Sequence, residues 1–183
     1  MSDSYKWNEN VNMKILGEKS LSSKVIVGLK GLFTIISIVD LLVIETIVKV
    51  IIELIGMENV EKSVASLILF IMIITTGIIA LFIIYQFIKI FQHLKDSDLF
   101  CENNVKRLST ISIYCFVIST IYFITAIFAI ATITKYFQEF VYYILFSLII
   151  LAIIFCVAGI GIKILNEIYK KAIEYKEEND FTI

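Results

Sequence analysis

Polar residues in this chain gather into a few short stretches. Between them lie four long apolar runs, at residues 31–54, 64–88, 110–134 and 141–165. Each exceeds the ~20 helical residues needed to cross ~30 Å of hydrocarbon. The apolar residues are continuous within a run, with neither amphipathic helical spacing nor strand alternation. The pattern therefore predicts an all-α, integral membrane four-helix bundle. The second run carries no charge until Lys89 and the fourth none until Lys163. The first, "GLFTIISIVDLLVIETIVKVIIEL", is broken by Asp40, Glu45, Lys49 and Glu53.

The polar stretches divide the rest of the chain. Residues 1–30 form an N-terminal segment, 31–165 the membrane bundle and 166–183 a tail. Residues 1–20, "MSDSYKWNENVNMKILGEKS", are polar, and no short apolar core followed by a small-residue cleavage site comes after them, so the first run is expected to stay in the mature protein. Residues 14–30 mix apolar and basic side chains, which suits either an interfacial helix or a simple leader into the first run. Basic residues set the expected orientation. Lys6, Lys14, Lys19, Lys24 and Lys30 precede the first run, Lys89, Lys95, Lys106 and Arg107 lie between the second and third, and Lys163, Lys170, Lys171 and Lys176 follow. The two opposite connections hold only Lys62 and Lys135. Both termini and the 89–108 loop are thus expected in the cytoplasm of a multi-pass cell-membrane protein. The fourth helix is expected to continue into the cytoplasm, because "KILNEIYKKAIEYKEE" keeps an apolar stripe through Ile164, Leu165, Ile168, Tyr169 and Ile173 that must be buried against something.

Composition sharpens this picture. Of 183 residues, 59% are hydrophobic, above the ~45–50% of soluble domains. There is no proline and there are only seven glycines, so little interrupts a helix. Net charge is −1, which leaves no overall footprint for direct nucleic-acid binding. Cys101, Cys115 and Cys156 form no paired motif, and no metal or cofactor is expected. The single histidine, His93, reads as a surface residue beside the inner interface. The small-residue segment "AGIGIK" reads as close helix packing. No nucleophile–base arrangement or nucleotide loop is present, so enzymatic activity is not expected.

The charges of the first run ask how a membrane helix keeps them. Residues four apart share a helical face, so Glu45, Lys49 and Glu53 form one stripe in which paired charges offset each other. One reading places the Glu45–Lys49 pair toward the bundle interior. Asp40 lies about 180° around the helix from Lys49 and needs another partner. Thr75, Thr76, Tyr85, Gln86, Ser119, Tyr122 and Thr125 are candidates. Alternatively Asp40, Glu45 and Lys49 line a polar cavity that senses a ligand or relays protons.

Two cytoplasmic stretches stand out: "DLFCENNVKRLSTI", residues 98–111, and "EYKEENDFTI", residues 174–183. In the first, Glu102, Asn103 and Asn104 suit a helix start, where acidic and amide groups meet free N–H groups. Phe100, Glu102, Asn104, Val105, Arg107 and Leu108, followed by Glu177, Glu178, Asn179, Asp180, Thr182 and Ile183, resemble the signatures of a bacterial family of four-span membrane proteins known as domain of unknown function 2975. Cys101 stands where that family usually has a hydroxyl cap, and the first outer connection is short for it. The resemblance covers the second to fourth runs and the tail. It implies no established activity. It implies a regulatory membrane protein that holds a small helix-turn-helix DNA-binding regulator on its cytoplasmic face, with Phe100, Glu102, Asn104, Arg107, Glu177, Asn179 and Asp180 as docking candidates. The alternative is a small transporter, or an immunity protein against a membrane-active peptide. Ala152, Cys156, Gly159 and Gly161 offer an interface for a homodimer.

Overall fold

The computed structural model describes residues 21–55, 60–95, 101–132 and 140–180, all helical except Cys101. The helices are α1 (Leu21–Ile55), α2 (Val60–Lys95), α3 (Glu102–Thr132) and α4 (Phe140–Asp180). In lipid, a helix satisfies every backbone N–H and C=O within one segment, and a chain without proline meets no obstacle to long ones. The helices outrun the expected spans. The first begins at Leu21, inside the segment assigned to the N-terminus. The fourth has 41 residues, about 60 Å at 1.5 Å each, so it extends well past one bilayer core.

Three helices are long and apolar enough to cross a membrane, over Leu67–Leu94, Glu102–Ile130 and Leu145–Glu178. They make this a multi-pass membrane protein. The charge-bearing α1 is not among them.

Packing follows chain order. Helix α1 lies on α2, α3 lies on α4, and the two hairpins meet mainly where α2 touches α3. Each seam is written in alternating steps of three and four. On α1 the buried and half-buried positions include 26, 29, 33, 36, 40, 43, 47 and 50; on α3 they include 104, 108, 111, 115, 118, 122, 125 and 129. This is the heptad spacing of helices that pack side by side over their length.

Particular side chains set the register. Ile26, Leu29, Phe33 and Ile36 of α1 pack with Ile84, Ile88 and Phe91 of α2. Further along, Asp40 meets Gly77. Between α3 and α4, Ser112 Oγ donates to the Gly159 carbonyl at 2.9 Å and Ser119 Oγ to the Ala152 carbonyl at 2.8 Å. A Cβ on Gly159 would stand 3.3 Å from Cys115 Cβ and from the Phe116 ring, so glycine there permits close approach. Ala152 and Gly159 therefore serve packing within the chain. The α2–α3 seam is held by Arg107 Nη1 donating to Gln86 Oε1 at 2.7 Å, by Thr125 Oγ1 on Met72 Sδ at 2.7 Å, and by the Phe82 and Tyr114 rings with centroids 6.2 Å apart.

Candidate functional site

Asp40 is 9% exposed, and its Oδ2 has no hydrogen-bond partner among the described residues. Its carboxylate fills the space that a Cβ on Gly77 would occupy. None of its expected partners reaches it. The Thr76 hydroxyl, buried one residue from Gly77, donates to the Ile73 carbonyl at 2.8 Å, and Thr75 donates to Ile71 O at 2.8 Å. Gln86 is taken by Arg107, Ser119 by Ala152, and Thr125 by Ile121 O and Met72. Gly77 sits about 18 Å along α2 from Lys89, near the middle of the hydrocarbon if Lys89 marks a headgroup level. A carboxyl group at mid-depth with one free oxygen is equipped to take up a proton or accept one hydrogen bond.

Glu45 and Lys49 are bonded at 2.8 Å, but their side chains are 62% and 69% exposed. The pair is present and the expected inward direction is corrected: it points away from the other helices. The heptad seam explains this. Asp40 occupies the seam, and a residue nine further on lies half a turn around the helix. The structure thus separates Asp40 from Glu45 and Lys49, and they do not line one cavity. The side chain of Glu53 lies outside the described residues.

The other end of the molecule brings the two distinctive stretches together. Cys101 precedes α3, and its carbonyl accepts from the Asn104 N–H at 3.1 Å, so the helix start is built by backbone and not by a side-chain hydroxyl. Asn104, 1% exposed, and Asn166, 4% exposed, are both buried. The Ser112–Gly159 and Ser119–Ala152 bonds define an antiparallel register that carries Asn104 and Asn166 to one level. Asn104 is therefore part of the α3–α4 seam and presents no side chain for docking. Arg107 is half-buried and bridges to α2.

Beside this seam, Glu102, Val105 and Lys106 of α3 and Lys170, Ile173, Glu174 and Glu177 of α4 line a groove of about 330 Å³. Glu102 and Glu177, from stretches about 75 residues apart in sequence, share it. Lys106 pairs with Glu102 at 3.7 Å and Lys170 with Glu167 at 3.3 Å. Glu174 and Glu177 enter none of the ion pairs found among the described residues. On the same helix Ile164, Leu165 and Ile168 are exposed. Phe100 and the side chains of Asn179 and Asp180 lie outside the described residues.

Sequence reasoning did not find the contact between His93 Nδ1 and Cys101 Sγ, at 3.4 Å. It places His93 in a half-buried corner between α2 and the start of α3, where a surface residue had been expected. The signal would have been their shared loop: both flank the 96–100 connection. No group of three or more His, Cys, Asp or Glu that could hold a metal ion occurs among the described residues.

A family model described as "Protein of unknown function (DUF2975)" matches residues 54–183. No curated protein and no solved structure matches the chain. The matched region begins at the end of α1, so Asp40, Glu45 and Lys49 lie outside it, whereas the Glu102–Glu177 groove lies inside it.

Proposed function

The chain belongs to the DUF2975 family, and from that premise we propose that it is a regulatory membrane protein that docks a small DNA-binding regulator on its cytoplasmic face. The observation that carries this reading is the groove where the two motif stretches meet. Its floor has Val105 and Ile173, and its rim carries Glu174 and Glu177 outside any ion pair described. Lys106 and Lys170 also line it, each paired with a glutamate, so carboxylates are in excess; an apolar strip with that edge suits the basic amphipathic helix of a partner, and DNA-binding proteins present basic surfaces.

In this reading α1 also crosses the bilayer and both termini are cytoplasmic. Helix register supports it. Gly77 opposite Asp40 brings Lys30 to within a turn of Lys89; Gln86 brings Arg107 there; Gly159 opposite Ser112 brings Lys163 level with Leu108. Each helix thus contributes a cation at one level, as expected for the positively charged inner face.

The test is purification from native membranes with and without residues 174–183, together with the Glu174→Lys/Glu177→Lys variant. A small DNA-binding protein should accompany the intact chain and be lost from both altered forms. Its retention on either, or its absence from the intact chain, overturns the docking reading.

The second reading, a small transporter or a protein protecting against a membrane-active peptide, is favoured by Asp40 alone. Asp40→Asn then alters transport or resistance in a folded protein. An unchanged result in both assays removes it.

A further inference from the structure

Phe33 of α1 and Ile78, Leu81, Phe82 and Tyr85 of α2 line a groove of about 350 Å³ on the first hairpin, and it exposes only apolar surface. Residues 78, 82, 85 and 89 fall on one face of α2, so the groove leads directly to Lys89. The Lys89 ammonium sits 5.7 Å from the centre of the Tyr85 ring. Neither Lys89 nor Lys30, which the α1–α2 register brings to within a turn of it, enters any of the ion pairs found among the described residues. From Lys89 to Ile78 is eleven residues, about 16 Å along the helix, and one leaflet of hydrocarbon is about 15 Å deep.

We propose that this groove is a binding site for an anionic phospholipid, with one acyl chain lying along Phe33, Ile78, Phe82 and Tyr85 and the phosphate held by Lys89 and Lys30. The distance from the far end of the groove to Lys89 matches the depth of one leaflet, the groove exposes no polar surface to compete, and the cations stand at its headgroup end. Tyr85 serves both parts, its ring flanking the chain and facing the ammonium. A zwitterionic lipid fits the groove equally well but brings its own cation to Lys89 and Lys30. The site therefore discriminates by headgroup charge.

The test is native mass spectrometry of the full chain in mild detergent, titrated with phosphatidylglycerol or with phosphatidylcholine of the same acyl chains. Phosphatidylglycerol should bind about fivefold more tightly, the ~1 kcal/mol of one basic side chain at an anionic surface. Lys89→Gln should remove that preference. Ile78→Trp, which fills the groove, should weaken both lipids. Lys163→Gln, at the same level on α4, should change neither. Equal binding of the two lipids to the unaltered chain overturns the proposal. So does a preference that survives Lys89→Gln, or one that Lys163→Gln removes equally, since either would mark a diffuse belt of charge without a site.

Discussion

The carboxylate of Asp40 occupies the volume that a side chain at Gly77 would need. One residue on α1 and one on α2 thus settle how closely the first hairpin packs, and they do so with an acid that has a free oxygen. The relationship yields two expectations.

Replacing Gly77 by alanine should force the Asp40 carboxylate out of its seat between α1 and α2. An added methyl in a packed seam destabilises by about 1–3 kcal/mol. Gly31, where a Cβ meets nothing within 4 Å, is the control. Gly31→Ala should be neutral or favourable by about 0.5–1 kcal/mol through helix propensity. Unfolding of the purified protein in mixed micelles measures both. Equal effects at the two positions would contradict the packing described.

Asp40→Leu nearly conserves shape, since both side chains branch at Cγ. It removes a buried polar group whose uncompensated burial costs about 1–3 kcal/mol. The variant should unfold at higher denaturant than the natural chain, with activity lost if Asp40 is functional. A less stable variant would mean that Asp40 has a partner in the membrane.

The serine hydroxyls on α3 hold α4 by its backbone. Ser112→Ala and Ser119→Ala should each destabilise by about 0.5–2 kcal/mol, the range of hydrogen bonds between membrane helices. Their bonds lie a heptad apart with no shared acceptor, so the double variant should show nearly the sum. The same micelle titration reads this, and a strongly sub-additive double variant would indicate one coupled network.

The outward Glu45–Lys49 pair should behave differently alone and together. Glu45→Leu leaves Lys49 without its partner, and Lys49→Leu does the same to Glu45; each should reduce the yield of membrane-inserted protein. Glu45→Leu/Lys49→Leu should restore it. Quantifying the chain in washed membranes checks this, and a double variant no better than the singles would show that the pair meets a protein surface and not lipid.

Much of the helical architecture was legible in the residues themselves. Long uncharged runs and the absence of proline leave helices as the only economical structure, and three of them carry enough apolar length to span. The Glu45–Lys49 bond was legible too, because a spacing of four on one helix is a local property. So were the motifs at 98–111 and 174–183, both inside the region that matches the family.

The sequence marked Gly159, in "AGIGIK", as a place of close packing, but which residues face each other across the seams belonged to the tertiary structure. In a soluble helix the polar face marks the outside. Here lipid is as apolar as a helix interface, so hydrophobicity does not distinguish the packed side from the free side. The packed side is distinguished by small and polar residues at heptad spacing: Asp40 and Gly77, Ser112 and Gly159, Ser119 and Ala152, Asn104 and Asn166. Those pairs come from different helices, and register between helices is fixed by packing and not by periodicity within one of them. Hence Asp40 was recognised as needing a partner but Gly77 was not foreseen, and Asn104 read as a helix start turned out to be a buried seam residue. Glu102 and Glu177 were each noticed in the sequence; only the antiparallel pairing of α3 and α4 put them on one groove.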